Sequence, residues 1–192
     1  NNIIHVFSLD DGAENIEGRR INTASSDAQG TLCSGMGSQG TISSTFTVAL
    51  AKLDDTSVVI GYSDTSSDTE VDLFKVTGLS GACTVTDIQA GNMTFGSGIT
   101  AGDRPVLIPV SSTSVDLVFQ DGDLSYSRLN TQTAENDWLI NNATIASVTD
   151  SVYSAVSNGT TTWILTVSSA GTGTNFYSCC SADFSETSLD SD

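Results

Sequence analysis

The feature that most constrains this chain is a strand–turn–strand pattern that it writes four times. The stretch 115–131 reads VDLVFQDGDLSYSRLNT, an apolar alternation ending at Phe119, an Asp121-Gly122 turn, and a second alternation leaving it. Asp-Gly between two alternating runs is a strong local hairpin signal, because aspartate and glycine tolerate the backbone angles of the tight turns that join twisted strands. IIHVFSLDDGAENIEGRRINT (3–23), SVVIGYSDTSSDTEVDLFKVTG (57–78) and TTWILTVSSAGTGTNFYSCCSAD (161–183) follow the same plan. Aligned at the end of the incoming strand, Phe7, Tyr62, Phe119 and Val167 recur at about fifty residues. Arg20-Ile21-Asn22-Thr23 in the first copy is echoed by Arg128-Leu129-Asn130-Thr131 in the third.

Flanking segments repeat with the hairpins. TFTVALAKLDD, RPVLIPVSS and SVYSAVSNG precede the second, third and fourth, while ACTVTDI and DWLINNATI follow the second and third. Each unit therefore holds four short antiparallel strands. A period of 40 to 50 residues with four strands per unit is the mark of a β-propeller, whose sheets are apolar on both faces and must stack on neighbours. The expected fold is an all-β, propeller-type array of about four four-stranded blades in a single repeat domain over 1–192. Its units run approximately 1–42, 43–100, 101–150 and 151–192, and a pair of sheets packed as a β-sandwich is the alternative. The composition agrees. Hydrophobic residues make up 38% and charged residues 15% of the 192 residues, and Ser, Thr, Gly, Asn and Asp fill the difference, a mix that suits short strands and tight turns. The first unit begins at its second strand, and the final FSETSLDSD is too polar for an inner strand. Closure by a terminal strand is thus not evident, and the chain reads as an arc of a larger ring or as a partner for another chain.

Ser57-Val58-Val59-Ile60-Gly61-Tyr62-Ser63-Asp64, Val76-Thr77-Gly78 and Thr94-Phe95-Gly96-Ser97 resemble β-propeller repeats of large secreted proteins of marine microbes. More loosely, the unit is similar to the neuraminidase-type propeller repeat. The Asp-box of sialidases is matched in part, by Ser8, Asp10 and Gly12 without the following Trp, and at a different turn of the hairpin scheme.

Net charge bounds the partners. With 23 acidic against 6 basic residues the formal charge is −17, and such a surface repels nucleic-acid phosphates and anionic lipid headgroups. No run of eighteen apolar residues is present to span a membrane. The chain opens at Asn1-Asn2 without Met or a signal peptide, which reads as a processed leader or a piece of a longer protein. Cys33, Cys83, Cys179 and Cys180 match no zinc-ligand spacing. Disulfides in an oxidising compartment are the preferred reading, with reduced, buried thiols as the alternative. The long glycine-rich segment around Cys33 could reach Cys83, whereas Cys179 and Cys180, adjacent on a strand, should point to opposite faces. A Cys33–Cys83 disulfide is therefore expected, with at least one of Cys179 and Cys180 left for another partner.

Catalytic inventory is thin. His5 is the one histidine and lies in an apolar alternating strand, the setting of a packed residue. No GxSxG, P-loop or dinucleotide fingerprint occurs. A glycosidase needs two carboxylates at a set separation, which 23 acids leave open. A sialidase-like site would also converge several arginines on a substrate carboxylate. Of Arg19, Arg20, Arg104 and Arg128, however, Arg20 and Arg128 hold equivalent repeat positions on separate units, an architectural placement.

The hairpin turns carry acids, notably Asp10, Asp64, Asp121 and Asp123. These are either oxygen ligands for Ca²⁺ beside glycine or turn residues bonding their own backbone. Asn92, Asn142 and Asn158 open N-x-[ST] sequons, which would matter in a secreted eukaryotic protein. The resulting expectation is a non-catalytic extracellular propeller, with no cofactor unless Ca²⁺. Its partners would be a glycan, copies of itself or another surface protein. A sialidase-like propeller glycoside hydrolase is the alternative.

Overall fold

A computed structural model describes residues 3–10, 15–23, 31–32, 49–64, 70–79, 83–88, 106–132, 138–147, 151–158, 161–167, 173–179 and 184–186. Cys33, Cys180 and Asn92 fall outside them, and of Asp10, Tyr62, Asp64, Asp121, Asn142 and Cys179 only the backbone is described.

The described residues form fifteen strands in four antiparallel sheets, each a simple meander. The first sheet holds β1 (Ile3–Asp10), β2 (Asn15–Asn22) and β3 (Thr31–Leu32). The second holds β4 (Ala49–Lys52), β5 (Ser57–Asp64), β6 (Glu70–Thr77) and β7 (Thr84–Asp87). The third holds β8 (Val106–Ser111), β9 (Ser114–Asp121), β10 (Asp123–Asn130) and β11 (Trp138–Ala146). The fourth holds β12 (Ser151–Ser157), β13 (Thr162–Val167), β14 (Thr174–Cys179) and β15 (Phe184–Glu186). The leading strands β4, β8 and β12 touch in succession, so the sheets stack in chain order around a common inner side. This is an all-β, propeller-type array rather than two sheets of a sandwich.

The two end sheets follow the sequence reading, in which the first unit begins at its second strand and the final segment is no inner strand. The first sheet has three described strands, not four, and they correspond to the second, third and fourth strands of the other sheets. The three-residue β15 completes the fourth sheet at its outer edge, so the polar tail sequence FSE serves as an outer strand and not an inner one.

Three apolar layers fill the gaps between sheets, and strand alternation decides which residue enters which layer. Val58, Ile60, Phe74 and Val76 of the second sheet pack towards the first, where Phe7 meets them. On the opposite face of the second sheet Ala51, Val59, Leu73 and Ile88 meet Leu107, Val115, Leu117, Phe119 and Leu129 of the third. On the far side of the third sheet, Ile108, Val118, Leu124 and Tyr126 meet Val152, Ile164 and Tyr177 of the fourth. Phe119, 1% exposed, is worth about 1.5–3 kcal/mol as a fully buried side chain.

These layers correct the alignment of rings. Phe119 faces the preceding sheet, but Phe7 faces the following one, since Ile4 and Val6 occupy the other face of β1. In β13 the position equivalent to Phe119 on the preceding face is Thr166, which is buried beside Ile164, and not the half-buried Val167. One residue of offset reverses the face of every side chain in a strand.

Candidate functional site

In the first three sheets the hairpins that correspond to one another carry acids at their ends, whereas that of the fourth ends at Val167 and Thr174. Asp64 pairs with Glu70, Asp121 with Asp123, and Asp10 with Asn15. Gly122 alone separates Asp121 from Asp123 and has φ 73°, a left-handed angle that glycine adopts without a Cβ penalty. The Asp-Gly signal therefore marked a real turn, though a tighter one than a two-residue loop. Near the other end of the second sheet, Lys75 Nζ donates to the Thr131 carbonyl at the corresponding end of the third, 2.9 Å away. The two sheets are thus stacked in the same sense, which brings the Asp64–Glu70 and Asp121–Asp123 ends to one rim. Like charges paired across strands repel, so this rim is a place where a cation or a donor-rich ligand would be favoured. Among the described residues no group of three or more His, Cys, Asp or Glu is arranged to hold a metal. Asp123 is half-buried.

The basic residues have a different role. Arg20 lies opposite His5, Lys75 opposite Val59, and Arg128 opposite Asp116. These are the same register position in three sheets, in the frames RINT, KVTG and RLNT. Arg128 grips Asp116 with two parallel bonds, Nε to Oδ1 at 2.6 Å and Nη2 to Oδ2 at 2.8 Å. Asp116 is 1% exposed and the Arg128 side chain 18%, on the face of the third sheet that meets the fourth. Lys75 uses the equivalent face of the second sheet to reach Thr131. Lys75 ties the second sheet to the third, whereas Arg128 locks β10 to β9 within the third. The sequence pairing of Arg20 with Arg128 anticipated the position, but Lys75 escaped it because lysine and KVTG look unlike RINT. His5 is half-buried on the same face as Phe7.

At the opposite rim, side chains close the turns themselves. Asp54 Oδ1 accepts from the Thr56 amide at 2.6 Å and the Thr56 hydroxyl at 2.8 Å, and these bonds, the amide first, hold its carboxyl below the ordinary 3.8. Asn130 Oδ1 accepts from the Gln132 amide at 3.0 Å, and Asn158 Oδ1 from the Thr161 amide at 2.8 Å. Asn158 is exposed, whereas Asn142 sits within β11. Cys83 is disulfide-bonded and packs with Val85 against the layer between the first and second sheets.

No protein-family model and no curated protein matches this chain. Solved structures do. One, from a structural and mechanistic analysis of two prolyl endopeptidases, aligns over 97% of this chain and 25% of its own, with TM-score 0.55 and 10% identity. A puromycin hydrolase mutant complexed with PGG aligns over 98% of this chain and 28% of its own, with TM-score 0.54 and 14% identity. The likeness is one of fold. In both cases it lies in the propeller domain, and this chain spans about a quarter of the length of the solved chains it matches.

Proposed function

We propose that this chain is a non-catalytic extracellular propeller module for binding or assembly, with a glycan or another surface protein as its partner. The observation that carries this reading is the division of labour among its charges. The most buried carboxylate described, Asp116, is saturated by a bidentate arginine, and Lys75 is spent on the next sheet's backbone. The acids Asp10, Asp64, Asp121 and Asp123 stand instead at the strand ends of the hairpins. A buried, fully satisfied carboxylate stabilises an interface but neither donates a proton nor attacks. The disulfide at Cys83 supports an oxidising compartment, and the hairpin rim is where Ca²⁺ would be held if it is bound.

A glycan array and a panel of chromogenic glycosides, sialosides included, separate this reading from a propeller glycosidase. Retention on the array without turnover is the expected result. Turnover that disappears on substitution of rim acids such as Asp64 or Asp123 would overturn it.

A further inference from the structure

The layer between the second and third sheets is closed along most of its length and open at one corner. Strand alternation puts Lys75, Thr86 and Ile88 of the second sheet on the face that meets the third, with Lys75 and Thr86 paired across β6 and β7. On the third sheet Leu129 and Trp138, paired across β10 and β11, lie on the facing side. Ile88 and Leu129 are each 1% exposed, but Thr86 is exposed and Trp138 only half-buried. Thr131 follows β10 at this corner. Its amide donates to the Thr113 carbonyl, and its carbonyl accepts from Lys75 Nζ. Its hydroxyl, on a residue 2% exposed, has no partner among the described residues. Buried side-chain oxygens are nearly always hydrogen-bonded, so an orphan of this kind points to a group that binds there.

Lys75 differs from Lys52 and Arg128. Lys52 meets Asp55 and Arg128 meets Asp116, whereas Lys75 meets a neutral carbonyl. An ammonium has three N–H donors, and that carbonyl takes one. We infer that this corner is a binding site for a sugar bearing a carboxylate. The ring lies against the Trp138 indole, and the carboxylate takes donors from Lys75 Nζ and the Thr131 hydroxyl. A half-open aromatic wall with a few fixed donors is the usual make-up of a small-ligand site, and an indole offers both an apolar face and an N–H. Both walls are four-stranded sheets from the middle of the array. The charge of −17 disfavours an anion at a distance. Salt screens that repulsion over about 8–10 Å near physiological strength, and Lys75 acts at contact.

This inference rests on the glycan side of the proposed function and gives it a site and a sugar class. Calorimetric titration with a uronic-acid oligosaccharide, its methyl ester and acetate tests it. The free acid should bind about tenfold tighter than the ester, the least worth of a hydrogen bond to a charged group, and acetate alone should bind far more weakly. Lys75→Met should remove the preference for the acid. Thr131→Val should weaken the free acid by a similar factor yet leave the melting temperature unchanged or higher, because valine strands no hydroxyl. Wild-type protein that binds acid and ester equally, or binds neither, would overturn the inference. So would a Thr131→Val variant that binds like wild type, or acetate matching the oligosaccharide, which would mark a small-anion site only. The glycan array separates the two readings. Wild type and both variants retained alike would remove this site and leave the glycan reading standing, whereas no retention of wild type would remove the glycan reading itself.

Discussion

Replacing Asp116 by alanine leaves the Arg128 guanidinium between the third and fourth sheets without its carboxylate. Removing one partner of a buried pair costs about 3–5 kcal/mol, and because Arg128 keeps some solvent the low end applies, about 3 kcal/mol in urea unfolding. An Asp116→Leu, Arg128→Met double variant should recover most of that loss, since the cost lies in the stranded charge. Loss of under about 1 kcal/mol in Asp116→Ala would mean that water already reaches the pair. Asp54 offers a test by titration. Its folded-state pKa lies below 3.8 through the Thr56 bonds, so its contribution to stability is present above the unfolded value and is lost as pH falls through the folded one. Carboxyl NMR should find a midpoint below 3.8 that returns towards it in Thr56→Ala. An unchanged midpoint would show that the hydroxyl contributes nothing.

At the scale of elements, the spacing between sheets is set by small residues as much as by large ones. A Cβ on Gly61 would stand 2.9 Å from Leu73 Cδ2 and 3.0 Å from Leu107 Cδ1 in the next sheet. Gly61→Ala should therefore cost about 1–3 kcal/mol, the range for overpacking a filled core. A neutral result would show that Leu107 can turn away. Leu50 reports the neighbouring situation. It is 46% exposed, whereas Leu107, on the same face of the next leading strand, is 5% exposed. The first sheet has no described strand inside β1 to cover Leu50. The disulfide at Cys83 belongs to this scale too. Cys83 packs on the side facing the first sheet, and Cys33 directly follows β3, the outer strand of that sheet. Peptide mapping without reductant should return Cys33 joined to Cys83. Reduction should then lower stability by about 4 kcal/mol, as expected for a closed loop of roughly fifty residues. A peptide joining Cys83 to Cys179 or Cys180 would disprove the pairing.

For the whole molecule, charge dominates the response to solution conditions. Screening of the −17 charge should raise the melting temperature as sodium chloride is added. Calcium held at the acidic hairpin ends should raise it further when ionic strength is matched, by mass action on the folded state. Equal melting temperatures at matched ionic strength would assign Asp10, Asp64, Asp121 and Asp123 to turn formation and solubility alone.

Local pattern was enough to reveal the strands, the hairpins and their period, because alternation and turn chemistry are written in neighbouring residues. It also placed Arg20 and Arg128 at one repeat position, since RINT and RLNT are nearly the same word. It did not reveal which face of β1 carries Phe7. The span from Asp10 to Asn15 is longer than the one from Asp121 to Asp123, and counting along the chain slipped by one residue. Nor did it show that Thr166, not Val167, stands where Phe119 does, that Lys75 shares the place of Arg128, or that Asp116 is the carboxylate that arginine needs. The first depends on which sheet lies against which, and the other two on the register of strands within a sheet. Strand periodicity assigns side chains to two faces, but only the stacking of sheets decides whether a face meets another sheet, as at Ile60 and Leu117, or is left open, as at Val6 and Val156.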